Sequence, residues 1–267
     1  MNLRKTLLFY CKKIHEEYGL TPMVGGELEF YCSSPETLER YTPCNNVQIV
    51  EEKGENQFEI RTPRFNDINS FIKCIEKSKA HLLSFAKKKK ICIDFAARPF
   101  AQMPGSSLHI HVNFMNRSGY NVFDLYDGKE SVFLLFSVGG LLGSIRESMI
   151  FFAPHKECYR RYKKSMFTPT KISWGNNNRT AAIRIIDRMH DVRRIEHRVP
   201  SSDADPLAVV TAIVVSIYYG LSNQVMPIEK TYGNAFDTQY KLASLPRSLE
   251  KSKKLFNNSW YQKLFLN

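Results

Sequence analysis

Apolar positions recur along this chain in two periods, and the changes of period divide it into elements. Over residues 3–18, Leu3, Leu7, Tyr10, Cys11 and Ile14 fall at helical spacing with Lys and Glu between them, and Gly19 then Pro22 mark the stop. Residues 70–86 repeat the pattern through Phe71, Ile72, Ile75, Leu82, Phe85 and Ala86. The stretches 130–149 and 207–220 are apolar nearly all round, which predicts buried helices. Strands are predicted over 24–32, 47–51, 57–61, 91–96, 108–114, 183–186 and 194–199, with a turn near Gly54. Strands and helices mix without a regular βαβ rhythm, and no repeat or low-complexity linker interrupts them. The pattern predicts one α+β domain over residues 1–267.

What alternates with the apolar positions on the strands carries chemistry. Residues i and i+2 share a face, so Glu27 and Glu29 project together, with Leu28 and Phe30 behind them. Glu59 follows Gln57 by two, and Glu51 stands eight residues upstream across the turn. His109, His111 and Asn113 share one face, and Arg194, Glu196 and Arg198 repeat the arrangement. If these strands form one sheet, a single face carries five glutamates, two histidines and several arginines. Clustered carboxylates raise one another's pKa, so cations must neutralise them. Carboxylate with occasional imidazole favours Mg²⁺ or Mn²⁺ over zinc. Arginines beside such ions suit a phosphate, which the guanidinium fork meets bidentately. The same alternation also describes a solvated strand face, and a lone His-x-His is commonly structural, so periodicity leaves both readings open.

Composition removes other classes. The chain is 43% hydrophobic and 24% charged, a folded rather than a disordered profile. Thirty-eight Lys and Arg against 26 Asp and Glu give a net charge of +12, which suits an anionic partner or simply a Lys-rich soluble protein. The run 87–90 reads as a solvated helix end. Arg4, Lys5, Lys12 and Lys13 break up any signal-peptide core, and the uncharged stretch 206–228 holds Pro, Thr, Ser, Asn and Gln. No membrane partner is expected from either. Six scattered cysteines without a CxxC pair argue against a disulfide scaffold or zinc ribbon and make a reducing cytoplasm the simplest compartment. No GxxxxGK[ST] or GxGxxG occurs, so a nucleotide site would be neither a P-loop nor a Rossmann turn. A nucleic-acid surface over the Arg-rich stretch 179–198 would account for the charge but not for the ordered glutamates.

The ordered motifs resemble the catalytic domain of the glutamine synthetase family. Gly26-Glu27-Leu28-Glu29-Phe30 is similar to its E-x-E-F strand, and Glu51 with Asn56-Gln57-Phe58-Glu59 to its paired metal glutamates. Arg98-Pro99-Phe100 resembles K-P-F, and Gly105-Ser106-Ser107-Leu108-His109-Ile110-His111 resembles G-S-G-x-H-x-H. Residues 158–161 resemble S-Y-x-R, 173–185 (SWGNNNRTAAIRI) W-G-x-x-N-R-[ST]-x-x-I-R-I, and 194–200 R-[IV]-E-x-R-x-P. Tyr232-Gly233-Asn234-Ala235 and 245–249 are similar to the late G-N-A and L-P-x-S-L.

The resemblance implies a glutamine synthetase/guanido kinase-like fold, with a curved, mainly antiparallel sheet, a polar metal-binding face and packed helices. It implies ATP as cosubstrate and two or more Mg²⁺ or Mn²⁺ ions. Glu29, Glu51 and Glu59 would hold the ion nearer the amino acid, and Glu27, His109 and Glu196 the ion nearer the nucleotide. Arg161 and Arg198, with the Gly105 backbone, would bind glutamate. Arg179 and Arg184 would stabilise the transferring phosphoryl group, and His111, Asn113 and Arg194 would lie near ATP. The implied reaction phosphorylates the γ-carboxylate of glutamate and lets an amine displace phosphate.

The departures from the family pattern matter too. The small β-grasp domain that usually opens such chains is not expected here, and the C-terminal tail reads as shortened. A homo-oligomer or a separate partner subunit would then complete the site. Phe167 stands where glutamine synthetases proper carry the glutamate that guards ammonia, while Pro104, Ser107, Asn113 and Ile186 replace Asn, Gly, Ser and Pro. Loss of that carboxylate argues against ammonium as acceptor. Together with the wording of the Trp174–Thr180 motif, it leans toward the γ-glutamyl-polyamine and γ-glutamyl-amine ligase branch. The alternatives are a non-catalytic relative that binds Mg-ATP or glutamate and, lower, a glutamine synthetase using ammonium.

Overall fold

The alternating strands meet in one sheet in the computed structural model, which describes residues 1–162, 167–187 and 192–266. In chain order the elements are α1 (Leu3–Tyr18), β1 (Thr21–Cys32), α2 (Pro35–Leu38), β2 (Gln48–Glu51), β3 (Gln57–Arg61), α3 (Ile68–Lys89), β4 (Ile93–Asp94) and β5 (Leu108–Met115). There follow α4 (Val132–Phe152), β6 (Trp174–Asn176), β7 (Ile183–Ile186), β8 (Arg194–His197), α5 (Pro206–Ser222), α6 (Leu249–Asn257) and α7 (Trp260–Lys263). The strand order is β2-β3-β1-β5-β8-β7-β6, with β4 beside β1, and among the described residues only the β6–β7 pair is parallel. The fold is α+β, and the helices cover one face of the sheet.

That face is the apolar half of the alternation. Leu28, Phe30, Phe58, Ile60, Leu108, Ile110, Val112, Ile183, Ile185 and Ile195 are all buried in one core with Phe71, Ile72 and Ile75 of α3. Helices α4 and α5 pack along each other, and α1 packs on α5. Helix α4 is long and apolar enough to cross a membrane, but most of it is packed inside the protein. Helix ends follow local chemistry. The Asn2 side chain accepts from Lys5 N–H at the start of α1, and Asp67 accepts from Asn69 and Ser70 N–H at the start of α3. Lys87 to Lys90 are exposed at the end of α3, where cations face the negative end of the helix dipole.

Two kinds of element escape the sequence pattern. The strand expected over 91–96 shrinks to two residues, and β6 is three residues whose partner β7 lies beyond a loop, too short for any period to register. Helix α6 buries only Ser252 and Phe256, an apolar stripe too sparse to predict.

Candidate active site

The other face collects the polar residues, and strand register decides who meets whom. Glu27 lies opposite His109 on β5 and Arg61 on β3, and Glu29 lies opposite Glu59. His111 faces Glu196 on β8, which in turn faces Arg184 on β7. Ligand atoms of Glu29, Glu52 and Glu59 all lie within 4.8 Å of one another, as do those of Glu27, His111 and Glu196. Glu27, Glu29, Glu52, His109 and Glu196 line one cavity with Arg61, Arg161, Arg179, Arg184 and Arg198.

The first triad is short of positive charge. Burial, then the charge of Glu27, pushes the Glu59 carboxyl up to about 8 against the pull of Arg61. Burial and the neighbouring Glu29 raise Glu52 as well. Glu59 Oε1 accepts from Arg61 at 2.5 Å, while its buried Oε2 has no hydrogen-bond partner among the described residues. The second triad is well supplied. Burial alone would raise Glu196, but Arg198, His109 and His111 more than offset it and hold the carboxyl at about 2. Burial likewise works against ionised Glu27, yet His111 and His109 hold it below the usual carboxylate range. Glu196 accepts from Arg198 at 2.5 Å and from Arg184 at 2.8 Å.

The donors suit a hard divalent cation. Three carboxylates in one set, and two carboxylates with an imidazole in the other, match the oxygen-rich coordination of Mg²⁺ or Mn²⁺. The unpaired Glu59 Oε2 supports that fit. So does His111 Nε2, which lies 3.3 Å from Glu27 Oε1 without forming a hydrogen bond. His109 Nδ1 lies 3.4 Å from Glu27, 3.5 Å from Glu196 and 3.8 Å from Glu29, and its Nε2 lies 2.9 Å from Ser107 Oγ. It therefore stands between the two sets.

Glu51 is corrected by the structure: it is exposed on the edge strand, and Glu52 takes the place expected of it. Glu51 pairs with Phe58, whereas Glu52, whose N–H donates to Gln57 O, falls on the face of Gln57 and Glu59. A shift of one residue in a strand exchanges its faces. Asn113 is also placed differently. It is fully buried, donates to Asn121 Oδ1 and lines neither this cavity nor the neighbouring one. His111 and Arg194 do line that neighbouring cavity, with Glu27, Arg61 and Arg64.

Arg161 is 1% exposed and donates to Val199 O (2.6 Å) and Arg198 O (3.1 Å), so it braces the strand end that carries Arg198. Gly105 permits this, because a Cβ there would stand 2.6 Å from Arg161 Cγ and 2.8 Å from Ala97 O. Phe167 lines the cavity, half-exposed, with Lys53 Nζ 4.0 Å from its ring centre. Sequence reasoning passed over Glu52, Lys53 and Arg61. Arg61 was within reach, since it follows Glu59 by two on the same strand.

Comparison with known proteins gives the family and the fold. The family described as glutamine synthetase, catalytic domain, matches residues 36–267. The gamma-glutamylputrescine synthetase PuuA of Escherichia coli is 33% identical over 190 residues, 71% of this chain and 40% of that protein. A glutamate–isopropylamine ligase of a Pseudomonas species is 29% identical over 214 residues, 78% of this chain and 46% of that protein. The chain thus spans less than half the length of these curated relatives. A solved GmaS/ADP complex superposes with a TM-score of 0.80 at 19% identity, over 97% of this chain and 68% of the other, and so shares the fold.

Proposed function

The chain belongs to the glutamine synthetase catalytic-domain family, and from that premise we propose that it is an ATP-dependent carboxylate–amine ligase that joins glutamate to an organic amine. The observation that carries this reading is the pair of carboxylate-rich triads on one sheet face, of which Glu27, Glu29, Glu52 and Glu196 line one cavity with Arg179, Arg184 and Arg198. Glu29, Glu52 and Glu59 would hold one divalent cation, and Glu27 and Glu196 with His109 or His111 another. Bound there, Mg²⁺ or Mn²⁺ supplies Lewis-acid neutralisation of phosphate charge.

A γ-carboxylate oxygen of glutamate attacks the γ-phosphorus of ATP, and ADP departs. The acyl phosphate is a far better acyl donor than the carboxylate. The amine nitrogen then attacks the acyl carbon, the bond from that carbon to the phosphate oxygen breaks, and inorganic phosphate leaves carrying the proton that the nitrogen gives up. Arg179, exposed at the cavity, meets charge on the transferring phosphoryl oxygens, where a fixed donor acts most strongly. Arg184, held by Glu196, lines the same cavity. Arg198, braced by Arg161, offers its guanidinium to the amino-acid carboxylate, and His111 and Arg194 serve the nucleotide side.

The acceptor wall favours an amine over ammonium. It presents the Phe167 ring beside Lys53, an apolar surface that the alkyl part of an organic amine can cover and ammonium cannot. The relatives above include ligases named for putrescine and isopropylamine. We place the protein in the cytoplasm, acting on small molecules as a homo-oligomer or with a partner subunit. ADP release with Mg²⁺ or Mn²⁺, glutamate and a panel of amines including ammonium, with the product weighed by mass spectrometry, tests the reading. Amide formed with a primary amine faster than with ammonium is expected. Mg-ATP binding without ADP release would replace the ligase by a non-catalytic nucleotide binder.

A further inference from the structure

We propose that Asn178 and Thr180 are positioning residues for Arg179, and that the segment 228–235 is the cradle from which they hold it; the inference rests on the ligase reading above. The stretch 174–180 supplies Trp174, Gly175, Asn178 and Thr180, and each is tied to that one segment. The Trp174 indole N–H donates to Ile228 O at 2.6 Å, and Trp174 O accepts from Thr231 N–H at 2.8 Å. A Cβ on Gly175 would stand 2.5 Å from Thr231 O, so only glycine lets the segment lie this close.

The Asn178 amide is saturated. Its NH₂ donates to Thr231 O (3.0 Å) and Gly233 O (2.8 Å), and its Oδ1 accepts from Thr180 N–H (2.9 Å) and O–H (2.7 Å). Thr180 Oγ1 accepts in turn from Ala235 N–H at 2.8 Å. The far side of the segment is anchored by Lys230, which pairs with Glu130 and lies over the Trp174 ring. Between these saturated neighbours only Arg179 extends, exposed, into the cavity. The two sequence motifs around 178–180 and 232–235, separated by some fifty residues, thus have one shared purpose: they fix the backbone on either side of one arginine. Misplacement of a reacting group by about 1 Å costs on the order of a hundredfold in rate.

A double-mutant cycle tests this, read on kcat for ADP release and, independently of turnover, on affinity for Mg-ADP–aluminium fluoride as a mimic of the transferring phosphoryl group. Arg179→Ala alone is expected to cost about 10²–10³-fold. Asn178→Ala alone should cost about 10–100-fold in kcat and in affinity for the mimic, leaving Mg-ATP affinity within about threefold. In the Arg179→Ala background, Asn178→Ala should add less than about twofold. Thr180→Ser should keep wild-type values and Thr180→Val should not, which carries the test if Asn178→Ala does not fold. Additive losses in the cycle, or loss of Mg-ATP affinity with kcat intact, would overturn the positioning role alone. Full activity and full mimic affinity in Arg179→Ala would overturn the ligase role of Arg179 itself.

Discussion

Glu196 and Glu59 are equally buried, 1% and 0% exposed, yet one carboxyl is held at about 2 and the other is pushed up to about 8. They sit on the same sheet face and line the same chemistry, so burial does not separate them; their neighbours do. Glu196 touches Arg184 and Arg198 and has two histidines close by, whereas among the described residues Glu59 has Arg61 alone against Glu27, Glu29 and Glu52. One half of the site carries its own counter-ions, which a metal must partly displace. The other has too few, and a metal there would replace a proton.

The largest expected difference between the halves is in stability. Glu196→Ala strands Arg184 and Arg198 in a buried site, and urea unfolding should register a loss of about 3–5 kcal/mol. A loss under about 1 kcal/mol would mean that the arginines find other partners and the halves are less different than they look. Glu59→Gln instead replaces a carboxyl that burial and its acidic neighbours already keep largely protonated near neutral pH. In chelator it should leave stability unchanged or raise it by up to about 1 kcal/mol, while Mn²⁺ affinity by calorimetry falls by roughly tenfold or more.

The pH response sharpens the contrast. Glu59 is raised from 4.5 to about 8, so between those values the folded state keeps a proton that the unfolded state has lost. Its contribution therefore makes the metal-free protein less stable as pH rises through that window. Buried His197, lowered from 6.5 to about 3, acts in the opposite sense: stability is lost as pH falls between those values. The wild-type minus Glu59→Gln difference isolates the first contribution. A difference independent of pH from 5 to 8, measured by thermal melts in chelator, would show Glu59 to be ionised throughout. The smallest effect belongs to Glu51→Gln, expected to change stability by less than about 0.5 kcal/mol and to leave Mn²⁺ affinity intact, because its side chain points to solvent. A tenfold loss there would reinstate Glu51 over Glu52.

Much of this site was readable in one dimension because the pleat has period two. Glu27 with Glu29, His109 with His111, and Arg194 with Glu196 and Arg198 share a face in the structure as their spacing predicts. The exchange of Glu51 for Glu52 was not readable that way. The choice depends on where the β2–β3 ladder ends and its turn begins, and the Glu52 N–H to Gln57 O bond that sets this belongs to the folded hairpin. Asn113 obeys the period too, but the chain around Asn121 folds over it and takes it out of reach.

Local covalent geometry therefore decided from the sequence alone which side chains of one strand share a face and which helices bury themselves. Only the tertiary structure decided how the acidic, imidazole and guanidinium groups are paired. Among the described residues, the arginines that compensate Glu196 come from β7 and from just past the end of β8, the one beside Glu59 comes from its own strand, and the cradle of Arg179 lies some fifty residues downstream. A carboxylate's charge state depends on every ion within a few ångströms, and those distances are set by strand order and register rather than by spacing along the chain.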